Sequence, residues 1–230
     1  MNEILTWISQ HALIAILTLA GLIVYIWLMC FKNTFKRKWY EMFFVTIFFM
    51  LVGMFNLKLL AVIEALGNLK TAANMRLYGA VFFDPIAFWI IAKLWKIKYS
   101  KMFDICAIGL VITLIFGRID CLVTGCCKGT IIPFFASNNL TWPIREIEII
   151  FYTIFIGIYG RKVWNGETKG EVYPFFMISY GILRFFLELF RQEATLWGSF
   201  HPAFIWSFLS CLIGLSIYFE LQSREKKVRR

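Results

Sequence analysis

Hydrophobic residues in this chain are gathered into seven long runs, and short polar stretches separate them. A helix that crosses a bilayer needs about 20 mostly apolar residues. The runs are Ala12–Phe31, Met42–Ile63, Leu77–Ala92, Met102–Phe116, Ile144–Gly160, Val172–Phe190 and His201–Phe219. We therefore predict an all-α, polytopic integral membrane protein with about seven transmembrane helices. No repeat or long linker divides the chain, so residues 1–230 are expected to form a single integral membrane domain.

The composition excludes two other classes of protein. Hydrophobic residues make up 60% of the chain, charged residues only 17%, and the mean hydropathy is +0.71. Soluble domains contain about 45–50% apolar and about 25% charged residues, and disordered chains contain fewer apolar residues still. The net charge of +10 fits basic cytoplasmic loops beside anionic lipid, so no nucleic-acid partner is expected.

The distribution of basic residues predicts how the helices are oriented. Sixteen of the 24 lysines and arginines fall in residues 32–38, 93–101, 161–169 and 224–230, which all lie on one side of a seven-helix arrangement. Cytoplasmic loops are enriched in Lys and Arg. The pattern therefore predicts an N-terminus outside the cell and a C-terminus in the cytoplasm.

The basic residues of the opposite side include four arginines that lie within or next to apolar runs. A charge inside a membrane costs about 2.5–3.5 kcal/mol on insertion scales, so such residues often mark function. The arginines are Arg118, Arg145, Arg184 and Arg191, and the acidic residues near them are Asp120, Glu146, Glu148 and Glu188. Glu146 and Glu148 should point about 200° apart on a helix, one toward the bundle and one toward the interface.

The sixth run combines an aromatic residue with three charges on one predicted helix face. Tyr180, Arg184, Glu188 and Arg191 follow the spacing i, i+4, i+8 and i+11. Two interpretations remain open. The arginines and the glutamate can simply pair so that the helix ends near the interface. Alternatively they form an anion site, because the planar guanidinium group binds phosphate with two parallel hydrogen bonds.

Residues 117–142 are predicted to be the longest non-helical stretch of the chain. It begins with the sequence GRIDCLVTGCCKG, in which three glycines permit tight turns with exposed backbone N–H groups. Together with Arg118 and Lys128, these N–H groups could cradle a phosphate near Gly125.

Three of the six cysteines lie in this same stretch, namely Cys121, Cys126 and Cys127. The chain has no C-x-x-C sequence, which argues against a thioredoxin-like dithiol. A zinc site would need further ligands, and His11 and His201 are the only histidines. The sequence therefore predicts no metal or cofactor here, and an extracytoplasmic disulfide remains open.

The motifs resemble those of the prolipoprotein diacylglyceryl transferase family. GRIDCLVTGCCKG resembles the form G-R-x-G-C-F-x-x-G-C-C found in relatives, and Tyr180–Arg191 matches the family's Y-G-x-x-R-F-x-x-E-x-x-R. Residues 142–148 resemble the family's H-P-x-x-x-Y-E, residues 78–81 resemble its H-G-G-L, and Asp104 corresponds to a family aspartate. The resemblance extends in order from about Leu77 to Arg191.

The resemblance implies an enzyme that moves a diacylglyceryl group from phosphatidylglycerol to the lipobox cysteine thiol of a prolipoprotein. The reaction takes place at the outer face of the bacterial plasma membrane, and glycerol phosphate leaves. The implied catalytic residues are Arg118, Arg184, Glu188, Glu148 and Tyr78. The implied substrate-binding residues are Arg118, Arg184, Arg191, Tyr180, Gly125 and Gly79.

Several positions depart from the family pattern. Tyr78 stands where the family has histidine, and Cys121, Thr124 and Cys126 replace two asparagines and a glutamate. His11 is a further candidate base. These departures leave two alternatives: a diverged relative that binds phosphatidylglycerol but serves another acceptor, and a membrane thiol-redox protein that uses the three clustered cysteines.

Overall fold

The computed structural model describes residues 2–64, 76–132, 140–191 and 202–228, and most of these residues are helical. The helices are α1 (Asn2–Cys30), α2 (Lys32–Phe35), α3 (Trp39–Glu64), α4 (Leu77–Trp95), α5 (Tyr99–Thr124), α6 (Ile144–Phe155), α7 (Arg161–Trp164), α8 (Val172–Glu188) and α9 (Pro202–Val228). A π-helical turn, Ile156–Gly160, joins α6 to α7. Within these ranges, β pairing is limited to two isolated bridges. The all-α class is therefore confirmed.

Five helices of the described residues are long and apolar enough to cross a membrane. Their spans are Ala12–Cys30, Trp39–Glu64, Leu77–Trp95, Tyr99–Thr124 and Pro202–Ser223. The other two predicted segments are helical as well, but α8 has 17 residues and α6 has 12 before the π-helical turn. A polytopic architecture follows, while the count of seven crossings stays a prediction.

Helix α5 is the central helix of the bundle. It packs against α1, α4, α6 and α8. Of the 18 most apolar consecutive residues in each helix, 56% are buried in α5, compared with 17% in α1 and in α9. Large side chains on the outer helices instead face away from the protein, among them Phe44 with 65% and Phe208 with 64% of its surface exposed. Such exposed apolar surface is what a bilayer solvates.

Helix α4 packs closely against α3 at Gly79. A Cβ atom at this position would lie 2.0 Å from the Asn56 carbonyl oxygen, so only glycine permits the approach. Substrate binding by Gly79, which the family resemblance implies, stays a prediction, and the structure shows that Gly79 packs against α3. The contact is fixed further down the helix, where the Asn56 side-chain amide donates to Asp84 at 2.7 Å.

Pro85 lies inside α4 without ending the helix. Proline has no N–H, so the carbonyl of Val81, four residues earlier, loses its helical donor. The Tyr173 hydroxyl of α8 donates to this Val81 carbonyl instead. A side chain of a neighbouring helix therefore satisfies the backbone group that the proline leaves without a helical donor.

The prediction that residues 117–142 are non-helical is wrong for residues 117–124. Helix α5 continues through Thr124 and ends at Gly125, whose φ of +70° is a left-handed conformation that favours glycine. No proline follows Gly117 until residue 133, and the buried Arg118 side chain binds a partner on α6. The N–H groups of residues 117–124 therefore belong to a helix that Gly125 ends, while a phosphate cradle at Gly125 stays a prediction.

The helices run up and down, so their ends form two groups. We call one group the arginine end; it contains Glu64, residues 76–78, 118–132, 140–148 and 184–191. We call the other the lysine end; it contains residues 31–38, 95–104 and 161–172. At the lysine end, Asp104 accepts hydrogen bonds from the backbone N–H groups of Gly170, at 2.7 Å, and Val172, at 3.0 Å. These bonds fix the connection between α7 and α8.

Candidate active site

A buried network of three arginines and two glutamates lies at the arginine end, and we call it the arginine network. Arg118 of α5 binds Glu148 of α6 with two contacts, Nε–Oε2 at 2.5 Å and Nη2–Oε1 at 2.8 Å. Arg184 Nη2 lies 2.8 Å from Glu188 Oε2, and Arg184 Nη1 lies 3.8 Å from Glu148 Oε1. Arg191 Nη1 is 3.8 Å from Glu188 Oε2. The network therefore ties α5, α6 and α8 together.

Helix periodicity explains how these side chains meet. Glu148 is fully buried, whereas the side chain of Glu146, two residues earlier, is 41% exposed, as their predicted opposite orientation requires. On α8, Tyr180, Arg184 and Glu188 are all buried on one face. The i, i+4 spacing brings Arg184 and Glu188 into direct contact.

The arginine network carries more positive than negative charge. Three guanidinium groups face two carboxylates, so one positive charge is left uncompensated within these contacts. Taking charged groups out of water costs several kcal/mol per ion unless partners repay it. An anion near Arg184 and Arg191 would complete the balance, and guanidinium forks suit phosphate oxygens.

The arginine network borders a large cavity that is open to the surroundings. The space between its lining residues, including the open part, amounts to about 1650 Å³. One part of its wall is apolar and includes Leu17, Val24 and Phe49. The other part is polar and is lined by Arg118, Arg184 and Arg191. An apolar channel that leads to arginines matches a molecule with hydrocarbon chains and an anionic headgroup.

Tyr78 and Tyr180 also line the cavity, next to the network. Their ring centroids are 5.3 Å apart, and the Tyr78 hydroxyl lies 2.7 Å from the hydroxyl of Ser207 on α9. Nothing in the sequence singled out Ser207, because it is 129 residues from its partner. The His11 side chain lies outside the described part of the structure.

A second group of polar residues on the cavity wall escaped the sequence analysis. Glu64 at the end of α3 lies 2.7 Å from Arg76 Nε, and the Trp206 indole N–H donates to the same carboxylate at 2.7 Å. Arg76 could have been found as a basic residue on the side with fewer positive charges. The only sequence feature that could have identified Glu64 is its position at the end of an apolar run.

Cys121, Cys126 and Cys127 come together where α5 ends. Their sulfur atoms all lie within 4.8 Å of one another, and all three are free thiols. Arg145 holds this segment, because its Nη1 donates to the carbonyl oxygens of Cys121 and Cys126 at 3.2 Å each. Arg191 Nη2 donates to Cys127 Sγ at 3.2 Å. We call these three residues the thiol cluster.

The surroundings of Cys127 stabilise a thiolate. A hydrogen bond with Cys121, together with the positive charges of Arg191 and Arg118, lowers the pKa of the Cys127 thiol. Cys121 and Cys127 line the cavity beside the arginine network, while Cys126 is exposed. The cluster therefore has one side toward the cavity and one side toward the exterior.

Helices of membrane length around an apolar cavity define a polytopic membrane protein with buried arginines on the cavity wall. The chain belongs to the prolipoprotein diacylglyceryl transferase family, whose model matches residues 8–220. This confirms the resemblance seen in the motifs and places the chain among the membrane transferases of lipoprotein biosynthesis.

Three relatives illustrate the similarity, and each is named a phosphatidylglycerol–prolipoprotein diacylglyceryl transferase. The Clostridium tetani protein is 29% identical over 186 residues, which cover 70% of this chain and 74% of the relative. Transferase 2 of Clostridium perfringens is 29% identical over 131 residues, covering 51% of this chain and 50% of the relative. The Chlorobaculum tepidum protein is 24% identical over 161 residues, covering 63% and 54%. The chain thus spans about half the length of the latter two.

Proposed function

We propose that this protein transfers the diacylglyceryl group of phosphatidylglycerol to the lipobox cysteine thiol of a prolipoprotein. The observation that carries the proposal is the arginine network, with its excess positive charge, at the polar part of an apolar cavity. The names of the relatives supply the substrate class, and the cavity supplies surfaces for both the acyl chains and the phosphate.

In this proposal the arginines stabilise the departing glycerol phosphate. Arg184 and Arg191 approach the phosphate oxygens, and Arg118 adds positive charge from α5. Glu148 and Glu188 hold the guanidinium groups in place, so the donors need little reorganisation as negative charge develops on the leaving group. Tyr180, four residues before Arg184 on α8, lines the same cavity.

The setting of the reaction also belongs to the proposal. We infer seven crossings within a single membrane domain, residues 1–230, with the N-terminus outside and the lysine end in the cytoplasm. The arginine end then lies at the outer face of a bacterial plasma membrane. The excess of Lys and Arg in the loops of the lysine end supports this orientation.

Tyr78 stands at the position of the family histidine. An unperturbed tyrosine has a pKa of about 10, so its hydroxyl is a poor base at neutral pH. Its hydrogen bond with Ser207 orients it toward the cavity region that Tyr180 shares. We assign Tyr78 a hydrogen-bonding role toward the substrate, which leaves deprotonation of the acceptor thiol to another group.

A direct assay tests the proposal. The purified full chain is mixed with phosphatidylglycerol vesicles and a prolipoprotein that contains a lipobox, and products are followed by gel shift and mass spectrometry. The expected product is the thioether-linked diacylglyceryl adduct, lost in Arg184→Ala and in Arg118→Ala. Full activity in both variants would overturn the proposal.

A diverged relative is the second candidate, and the changed residues Tyr78, Cys121, Thr124 and Cys126 favour it. Such a protein would bind phosphatidylglycerol and serve another acceptor, so lipid binding without modification of any lipobox peptide would support it. The convergence of the thiol cluster favours a thiol-redox protein as a third candidate. Unchanged function after replacement of all three cysteines by serine would eliminate that one.

A further inference from the structure

The thiol cluster has a geometry that the proposed transfer does not require. Three sulfur atoms lie within 4.8 Å of one another, although the residues come from the last turn of α5 and the segment after it. Gly125 and Cys127 both have left-handed backbone conformations, with φ of +70° and +56°. These two turns bring Cys126 and Cys127 back toward Cys121.

Three converging thiols are a ligand set for a thiophilic ion. Zinc binds cysteine sulfur at about 2.3 Å, so neighbouring sulfurs of a tetrahedral site lie about 3.8 Å apart. Because the sulfurs of the cluster lie within 4.8 Å of one another, each pair would close by at most about 1 Å, which rotations about the Cα–Cβ bonds can supply. Thiolate ligands select zinc over magnesium or calcium, which prefer oxygen.

The residues around the cluster support such a site. Arg145 fixes the carbonyls of Cys121 and Cys126, and this holds the backbone that carries the sulfurs. Arg191 donates to Cys127 Sγ, and an N–H donor on a ligand sulfur is a typical outer-shell contact of metal sites. Three thiolates and Zn²⁺ sum to one negative charge, and the positively charged Arg191 guanidinium contacts one of the three sulfurs.

The number of ligands suggests what the ion does. Structural zinc sites have four protein ligands, whereas catalytic sites have three and keep one position for water or substrate. The three converging cysteines of the described residues supply the three protein ligands of such a catalytic site. Two of the three cysteines line the cavity beside Arg118 and Arg184, so an open position can face the site of group transfer.

We propose that Cys121, Cys126 and Cys127 bind Zn²⁺ and that the thiol of the acceptor takes the fourth position. This inference rests on the proposed function, because it assigns the activation of the acceptor that Tyr78 cannot provide. A thiol bound to zinc is deprotonated, and its proton passes to water. The site thereby presents a thiolate, the nucleophilic form of the sulfur, at neutral pH.

The transfer step then balances without a further reactant. The zinc-bound thiolate sulfur forms a bond to the glyceryl carbon that carries the phosphate ester. The bond between that carbon and the ester oxygen breaks, and its electron pair leaves with glycerol phosphate beside the arginine network. The product is a thioether, which is a weaker zinc ligand than a thiolate and is released. One thiol and one phosphatidylglycerol give one thioether, one glycerol phosphate and one proton.

Metal content is the first measurement. The full chain is purified in detergent, loaded with zinc, dialysed and analysed by mass spectrometry for metals. We expect about one zinc per chain in the wild-type protein and less than about a tenth of that in Cys126→Ser, because two thiolates hold zinc poorly. Cys30→Ser is the matched control, since Cys30 is an exposed cysteine at the end of α1, outside the thiol cluster. Equal zinc in the two variants would overturn the proposal.

Acceptor binding is the second measurement, and it does not depend on turnover. In the cobalt-loaded protein, a lipobox peptide with one cysteine should raise the sulfur-to-cobalt charge-transfer absorbance by about a third, as three thiolates become four. The same peptide with serine should cause no change. No response to the cysteine peptide would overturn the acceptor's place on the metal.

Transfer assays separate this proposal from the proposed function. Full transfer activity in zinc-free wild-type protein would overturn the zinc site and leave the transferase standing. Zinc binding and peptide coordination without transfer from phosphatidylglycerol would uphold the site and overturn the transferase. Arg184→Ala should keep its zinc while it loses transfer.

Discussion

The two ends of the helix bundle carry their charges in different ways. At the lysine end, Lys36, Lys96 and Lys162 are exposed, as is Arg161. At the arginine end, Arg118 and Arg184 are 4% and 5% exposed and are held by carboxylates at 2.5–2.8 Å. Both ends contain basic residues, so the presence of positive charge alone does not distinguish them.

Burial makes the difference between the two ends. Exposed lysines keep their hydration and act as topology signals, at little energetic cost. Buried arginines give up that hydration and are retained only where partners or a ligand compensate them. The two ends therefore differ in whether the bundle encloses their positive charges, and the proposed site lies at the end where it does.

The largest expected effect is on catalysis. Arg184→Ala should lower the rate of diacylglyceryl transfer about 100-fold, because it removes a preorganised donor to the leaving phosphate. Arg161→Ala removes the same side chain at the lysine end and should leave the rate within about twofold. Initial rates with phosphatidylglycerol vesicles compare the two variants. Equal losses in both would mean that burial does not identify the site.

The two ends can also be compared by how much one buried carboxylate at each end contributes to the free energy of unfolding. Glu148→Ala should lower the free energy of unfolding by about 3–5 kcal/mol, since it leaves the buried Arg118 without its bidentate partner. Asp104→Ala at the lysine end removes an acceptor of two backbone N–H groups and should cost less, about 1–3 kcal/mol. Denaturant unfolding in micelles measures both. A larger loss for Asp104→Ala would reverse the order that we expect.

Two helical glycines next to the arginine end, Gly79 of α4 and Gly117 of α5, should respond to alanine in opposite directions. Gly79→Ala places a Cβ against the Asn56 carbonyl and should destabilise the protein by about 1–3 kcal/mol. Gly117→Ala lies in the interior of α5 with no atom within 4 Å of the new Cβ, and should stabilise it by about 0.5–1 kcal/mol. Thermal unfolding in detergent tests the sign of each change.

The smallest expected effect concerns Cys127. Because the pKa of its thiol is lowered, more of it is thiolate at pH 6 than of an unperturbed cysteine, whose pKa is about 8.5. In chelator-treated protein, alkylation of Cys127 should therefore fall less between pH 8 and pH 6 than that of free cysteine. Arg191→Ala should raise the pKa and slow alkylation at pH 6 several-fold. Peptide mass spectrometry follows the residue, and an unchanged rate would contradict this role of Arg191.

Sequence periodicity predicted those parts of the site that lie on single helices. The shared face of Tyr180, Arg184 and Glu188 follows from 3.6 residues per turn, as does the opposite orientation of Glu146 and Glu148. In each case the information is local. The structure adds which helix each face meets.

Features that depend on distant partners could not be predicted in this way. The glycines and polar residues after Phe116 are typical of a loop, yet α5 continues there, and the buried partner of Arg118 is 30 residues further along the chain. The contacts of Tyr78 with Ser207, and of Glu64 with Trp206, span 129 and 142 residues. No local pattern encodes such pairs.

The π-helical turn between α6 and α7 sets the relative rotation of the two halves of one continuous helix. A π-helical turn contains one residue more than an α-helical turn, and each residue of an α-helix advances the chain by about 100°. Above the turn, Glu148 faces Arg118; below it, Trp164 packs against Trp27 and Phe31 of α1. Because the extra residue is absorbed within a single turn, the two halves keep the phase that suits both contacts. The same residues wound as a regular α-helix would rotate one half by about 100° relative to the other. The turn thus lets the half that carries Glu148 and the half that carries Trp164 each meet their own neighbours.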